Sequence, residues 1–244
     1  MLRLILSILL CAVLCSPQDI TVRRQRPAAA VAGITVAAVR NGTAFNNSDE
    51  GSVSTSSTMN VASGGTIAVF CRANARSDFA ASVADTASNS YTKVAVTFDS
   101  NLNQYGVWFL ASNITGNSAN TVTCTLPVAG SIGVIAYYLT GVAASSAVDT
   151  SVTNKTDATT SVSASFSTSQ NVTIALYGVS TVSDSTSFTA GSGYTIPENG
   201  TLSTGRGATQ YQIFSTTQSS VTATITLSAW MKAGNIVMAL KGAS

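Results

Sequence analysis

TVTCTLPVAGSIGVIAYYLTG, residues 121–141, decides the fold because the chain contains it twice. It returns without a gap as TATITLSAWMKAGNIVMALKG, residues 222–242. The copies agree at eight positions: Thr121/Thr222, Thr123/Thr224, Thr125/Thr226, Leu126/Leu227, Gly133/Gly234, Ile135/Ile236, Leu139/Leu240 and Gly141/Gly242. Each copy has the pattern of two β-strands joined by a short loop. The sequence therefore predicts one β-architecture that is built twice.

Weaker echoes occur upstream of both copies, in the same order. Residues 52–56 return as 161–165, residues 66–70 as 173–177, Tyr91-Thr92 as Tyr194-Thr195, and Gln104-Tyr105 as Gln210-Tyr211. About six short strands cannot easily bury both faces alone, whereas two such sets can pack face to face. We predict an all-β fold: a two-sheet antiparallel β-sandwich, jelly-roll-like, in one domain at 33–244 with halves 33–141 and 159–242. Two tandem immunoglobulin-like domains are the alternative.

Composition narrows the class of protein. Of 244 residues, 9% are charged, 45% are hydrophobic and none is histidine. From Gly33 onward, eight Lys and Arg face nine Asp and Glu, a net charge of −1. No basic face remains for nucleic acid, and without histidine there is no Ser–His–Asp catalysis or histidine metal site.

The N-terminus has the pattern of an export signal. Residues 1–15 carry one arginine and then an apolar run too short to span a bilayer comfortably. We predict a signal peptide at 1–15, cleaved after Cys15, and a basic, alanine-rich linker at 16–32. Lipoprotein processing at Cys15 and a retained anchor are the alternatives. The mature protein is expected to be secreted or virion-associated and free of the membrane.

Several segments resemble one protein group. They read GGTIAVF (64–70), VADTASNSYTKV (83–94), GVWFLASNITGNSANTVTCTL (106–126), IAYYLTGV (135–142), AVDTSV (147–152) and IVMALKG (236–242). In order and spacing they resemble a widespread group of secreted bacterial and phage-associated β-sandwich proteins. The resemblance implies a jelly-roll-like, lectin-like or adhesion-like domain. Members often carry an acid where this chain has Tyr137, so any site that used that acid is missing.

Carboxylates and amides leave two site hypotheses. Glycoside hydrolysis needs two acids facing one sugar bond, but Glu50 and Glu198 lie in turn-like sequence and the aspartates are scattered. Asp99, Asn101 and Asn103 have the alternate spacing of a calcium loop. The loop lacks the turn glycine and the final glutamate, so an ordinary polar hairpin competes with a Ca²⁺ site. We otherwise expect no cofactor, and we expect Asp85 and Asn89 to cap a turn.

Cysteines and aromatics supply the remaining candidates. Cys71 and Cys124 are the two cysteines that remain after signal removal, so they form a disulfide or stay as buried thiols. Their sequence counterparts in the second half are Gly178 and Ile225. Most aromatics lie in apolar strands and belong to the core. Trp230 and Lys232 are expected in the loop of the repeat and Tyr194 beside two glycines, so these three form the candidate ligand platform.

The leading functional hypothesis is a secreted, non-catalytic binding or adhesion module that recognises glycans or a cell-surface polymer. The second is a structural subunit of a virion, fibre or extracellular layer that self-associates through its β-sandwich. A glycoside hydrolase is the third.

Overall fold

The computed structural model describes residues 33–46, 51–74, 81–99, 104–126, 130–182, 187–203 and 206–244. Within these ranges the chain forms fifteen strands and no helix. Residues Val31–Ser244 form one compact unit. The predicted signal peptide and linker lie outside the described residues.

The first half builds a five-stranded sheet and two smaller ones. Its strands are β1 (Thr35–Asn46), β2 (Gly51–Ser54), β3 (Met59–Val61), β4 (Thr66–Ala73), β5 (Ser82–Asp85), β6 (Thr92–Asp99), β7 (Gln104–Ser112), β8 (Asn117–Asn120), β9 (Val122–Leu126) and β10 (Gly130–Thr140). The main sheet has the order β1-β10-β4-β7-β6, beside the sheet β2-β9-β5 and the pair β3-β8. Strand β4 is nearly all apolar because both of its faces are buried, whereas β9 alternates because one face is exposed.

The second half repeats this topology with fewer, longer strands. They are β11 (Val148–Phe166), β12 (Thr173–Thr181), β13 (Phe188–Ala190), β14 (Gly207–Phe214) and β15 (Val221–Lys241). The order is β11-β15-β12-β14, and β13 also pairs with β15. Bridges from Thr195 to Tyr211 and from Thr201 to Ala208 place residues 195–201 beside β14, as β6 lies beside β7. Strand β11 therefore takes the places of β1 and β2, and β15 those of β9 and β10.

Three hydrophobic clusters hold the layers together. One lies between the first main sheet and the strands β2, β5 and β9 that cover it. One lies where the main sheets of the two halves face each other, with Phe70, Trp108 and Tyr137 in the same cluster as Leu176 and Met238. The third lies inside the second half. The prediction of an all-β antiparallel sandwich is confirmed, and the middle cluster is the core that the two halves share.

Strand register corrects the sequence alignment of the halves. Phe70 pairs with Ile135, and Gly178 pairs with Ile236. Because Ile135 and Ile236 are equivalent in the repeat, Gly178 corresponds to Phe70, one residue away from the sequence match. A Cβ on Gly178 would lie 2.6 Å from Cε2 of Phe70. The pair is complementary rather than alike, because a large side chain in one copy meets its small counterpart in the other.

Two more counterparts change as a result. Cys71 corresponds to Val179 and not to Gly178, because Cys71 directly follows Phe70 and Val179 directly follows Gly178. Trp108 pairs with Phe70 and Thr209 with Gly178, so Leu110, not Tyr105, is the counterpart of Tyr211. The matches of residues 52–54 with 161–163 and of Thr92 with Thr195 are confirmed by equivalent pairings.

Arg72 is a fully buried cation that joins the halves. Its Nη1 donates to the carbonyl oxygen and Oγ of Ser131 at 3.2 and 3.3 Å. Its Nη2 donates to the carbonyl of Thr181 at 3.1 Å, and its Nε to Oγ of Ser180 at 3.4 Å. Desolvation, followed by the nearby charge of Arg206, lowers the pKa of Arg72 to about 9. Because the acceptors belong to β10 and β12, the guanidinium links the two main sheets.

Candidate functional site

Trp230 is a large apolar side chain with 76% of its surface exposed. The prediction of a loop at residues 230–232 is wrong, because these residues belong to β15. Between Thr226 and Met231, however, β15 has more residues than β11 has opposite them, so the strand bulges there. Trp230 and Lys232 are two residues apart and exposed, with the buried Met231 between them. The bulge therefore presents an indole and an ammonium group to solvent.

Tyr194 does not join this platform. It is 8% exposed and lies in the hydrophobic cluster of the second half. Its Oη is buried, and no hydrogen-bond partner for it occurs in the described part of the chain. Burial raises the pKa of Tyr194. The prediction that Tyr194 offers an exposed ring is wrong, because the neighbouring glycines form a turn that directs the ring into the core.

The candidate calcium loop cannot be placed. Asn101 and Asn103 lie outside the described residues, and only the backbone of Asp99 is described. Within the ranges given above, no group of three or more His, Cys, Asp or Glu side chains could hold a metal ion.

Cys71 and Cys124 form a disulfide, with an S–S distance of 2.15 Å and Cα atoms 6.3 Å apart. Both side chains are fully buried. The bridge joins β4 of the main sheet to β9 of the covering sheet. At the corresponding positions of the second half, Val179 and Ile225 belong to one hydrophobic cluster.

Asp85 organises a turn, as the sequence predicts. Its Oδ1 accepts hydrogen bonds from the backbone N–H groups of Ala87 and Asn89 at 3.1 and 2.9 Å. Its Oδ2 accepts from the side chains of Asn89, Tyr91 and Asn120 at 2.8, 2.8 and 3.2 Å. Burial alone would raise the pKa of Asp85, but these hydrogen bonds outweigh it and lower the pKa. With five donors within its own half, this carboxylate is structural.

A charged groove lies between β1 and the 197–199 segment of the other half. Its cavity volume is about 210 Å³, and it is lined by Val36, Ala38, Val39, Arg40, Pro197, Glu198, Asn199 and Tyr211. Arg40 Nε donates to the carbonyl of Thr58 at 3.1 Å, and Nη1 to the carbonyl of Val39 at 2.8 Å. Nη2 has no partner in the described part of the chain.

The other components of the charged groove are an acid and a ring. Glu198 is exposed, and its carboxylate makes no hydrogen bond or ion pair with the described residues. Tyr211 is half-buried and meets the buried ring of Tyr137 edge to face, with centroids 6.4 Å apart. Tyr137 in turn forms a 2.7 Å hydrogen bond with Oγ1 of Thr209. A cation, an acid and a supported aromatic ring therefore meet in one place.

The repeat produces a second, neutral groove at the opposite edge of the interface. Its cavity volume is about 410 Å³, and it is lined by Ser90, Thr92, Val94, Leu110, Ser112, Ala144, Ser145, Ser146, Ala147 and Val148. Val36 pairs with Leu139 and Val148 with Leu240, so these two valines occupy equivalent positions in the two grooves.

Sequence reasoning missed the charged groove. Arg40 and Glu198 lie 158 positions apart in the sequence, and Tyr211 had the pattern of a core residue. In the sequence, Glu198 is one of two glutamates that lie in turn-like stretches. The sequence signal for this groove is the set of positions at which the two halves carry different residues. Those positions can be matched correctly only when the strand register is known.

In comparisons with known proteins, no family model, curated protein or solved structure matches the chain. Within the described ranges, no helix is long and apolar enough to cross a membrane.

Proposed function

We propose that the domain is a secreted, non-catalytic binding module that recognises glycans or another cell-surface polymer through the face carrying Trp230 and Lys232. The observation that carries the proposal is the 76% exposure of the Trp230 indole. A buried tryptophan contributes to stability, whereas an exposed one costs hydrophobic free energy without a folding benefit. Its flat ring matches the apolar face of a pyranose, and Lys232 supplies donors for hydroxyl or carboxylate oxygens.

The charged groove supports binding over hydrolysis. Glu198 is the one carboxylate among its described lining residues. Glycoside hydrolysis requires two carboxyl groups on either side of the scissile bond. The resemblance to secreted bacterial and phage-associated sandwich proteins supports the same assignment by analogy.

The experiment measures retention of the protein on a panel of insoluble polysaccharides. We expect Trp230→Ala to lower retention at least tenfold without changing the melting temperature. Ile213→Ala is the matched control, because Ile213 is the other large apolar residue exposed in the described part, at 42%. Equal retention of Trp230→Ala and the parent protein on every polymer would refute the assignment.

A structural subunit is the second candidate, and the position of β11 favours it. This strand of 19 residues lies at the edge of its sheet, where β15 is its neighbour on one side. Edge strands can pair with another chain. Light scattering over a range of protein concentrations separates the two functions, because a subunit forms concentration-dependent oligomers and a binding module of this kind stays monomeric.

A further inference from the structure

The charged groove is the place where the two halves have diverged in chemistry. Arg40 pairs with Ala136, and Val152 pairs with Val237, the residue equivalent to Ala136. Arg40 thus stands where the second half has an apolar side chain. Tyr211 stands where the first half has Leu110. Leu110 lines the neutral groove, whereas Val152 packs against the hydrophobic cluster inside the second half. In both comparisons the residue able to interact with a polar ligand lines the charged groove.

The wall that carries Glu198 is itself a difference between the halves. Thr92 and Val96 pair with β7 at the positions where Thr195 and Thr201 pair with β14. The second half therefore spans the same interval with two more residues. The extra length forms a turn, closed by the Gly200 N–H donating to the carbonyl of Pro197 at 2.8 Å. This turn places Glu198 over the groove.

Hydrogen bonds also tie the two walls of the groove together. The carbonyl of Val39 accepts from Arg40 Nη1 and, at 3.3 Å, from Nδ2 of Asn199. One carbonyl therefore holds both the guanidinium and the opposite wall. Asn41 Nδ2 adds a second link, a 2.5 Å hydrogen bond to the carbonyl of Thr201. A preformed site loses less conformational entropy on binding than a flexible one.

We propose that the charged groove binds a single acidic sugar of the uronate type. The Arg40 guanidinium, whose Nη2 has no partner among the described residues, receives the sugar carboxylate. The Tyr211 ring contacts the apolar face of the pyranose, and the Glu198 carboxylate accepts hydrogen bonds from sugar hydroxyls. A volume of about 210 Å³ is below the range of about 300–1,000 Å³ for drug-sized ligands, so the site suits one sugar unit.

This inference deepens the proposed glycan recognition but locates it away from Trp230, so the two can fail separately. The assay is isothermal titration calorimetry of the intact domain with free glucuronate, glucose and acetate. We expect glucuronate to bind at least tenfold more tightly than either of the others. Glucose lacks the carboxylate, so its weaker binding would measure the contribution of that group. Acetate lacks the sugar ring, so its weaker binding would measure the contribution of the ring.

The variants copy the other half of the chain. Arg40→Val and Tyr211→Leu install the residues at the equivalent positions, Val152 and Leu110, and each should weaken glucuronate binding at least tenfold. Glu198→Gln, on an exposed side chain, should weaken it severalfold and serves if either of the first two fails to fold. Ser145→Ala in the neutral groove and Trp230→Ala should leave glucuronate binding unchanged.

The outcomes separate the two proposals. No glucuronate binding, equal binding of acetate or glucose, or loss of binding in Trp230→Ala overturns the groove assignment. If glucuronate does not bind, polysaccharide retention that depends on Trp230 would still support the proposed function. Glucuronate binding without any polysaccharide retention would instead overturn the platform role of Trp230 and support the groove.

Discussion

Replacing the disulfide by the residues at the equivalent positions of the second half tests the corrected repeat directly. The variant carries Cys71→Val and Cys124→Ile, which copy Val179 and Ile225. Both cysteines are fully buried between β4 and β9, and the two model residues are buried in the corresponding cluster. The substitution therefore removes a cross-link while keeping an apolar contact that the fold already uses elsewhere.

The cross-link should account for most of the stability change. The bonded cysteines are 53 positions apart, and closing a loop of that length lowers the entropy of the unfolded chain by an amount worth about 4 kcal/mol at 25 °C. The added methyl and methylene groups gain about 0.8 kcal/mol each when buried, but extra volume in a packed core costs about 1–3 kcal/mol. These two effects nearly cancel. We expect a loss of about 4 kcal/mol, or about 8–16 °C in melting temperature.

Equilibrium unfolding in guanidinium chloride, with and without reductant, measures this change. The parent protein should lose about 4 kcal/mol on reduction, and its m-value should rise because the reduced unfolded chain exposes more surface. The double variant should match the reduced parent and should not respond to reductant.

Two results would refute the reasoning. A reduction effect below about 1 kcal/mol would mean that the bridge does not restrain the unfolded chain as argued. A double variant that fails to fold, while the reduced parent folds, would mean that Val179 and Ile225 are not the true counterparts of the cysteines.

Three further predictions concern single side chains in the interior and at a turn. Gly178→Ala should lower the unfolding free energy by about 1–3 kcal/mol, because its Cβ would lie 2.6 Å from the buried Phe70 ring; Gly33→Ala, with open space around it, is the denaturation control and should not. Asp85→Asn should cost about 1–2 kcal/mol, because an amide NH₂ would face donors. The folded-state pKa of Asp85 is lowered, so its contribution to the free energy of unfolding is present above the unfolded pKa of about 3.9 and is lost as pH falls through the folded pKa. Unfolding curves from pH 7 to pH 3 should therefore show a steeper loss of stability for the parent than for the variant. Tyr194→Phe should leave polysaccharide retention unchanged and raise the free energy of unfolding by about 1 kcal/mol, because it removes a buried hydroxyl that has no hydrogen-bond partner among the described residues. A large loss of retention or of stability would contradict the assignment of Tyr194 to the core.

Local pattern was enough to predict several of the strands. The nearly continuous apolar run at residues 66–73 predicts a strand buried on both faces, as β4 is. The alternation at residues 122–126 predicts one exposed face, as β9 has. The turn at Asp85 was predictable for the same reason, because its hydrogen bonds connect the carboxylate mostly to residues within six positions along the chain.

The misplaced residues share a physical cause. Tyr194 has the local surroundings of an exposed turn, but its ring is covered by the sheet of β12, β14 and β15, whose residues are more than ten positions away along the chain on either side. Residues 230–232 have the pattern of a loop, but their pairing with β11 depends on strand lengths that no short window contains.

By itself, the sequence determined that this protein is a β-sandwich made of two similar halves, because strand alternation and turn residues act over a few positions and occur twice. Tertiary structure alone decided the register between the halves. In that register Phe70 fills the space left by Gly178. The two residues are complementary in shape, and a comparison that looks for similar residues in the two halves cannot reveal such a pair. It also decided the charged groove, because Arg40, Glu198 and Tyr211 become neighbours only when the first half's edge strand meets the second half's longer turn.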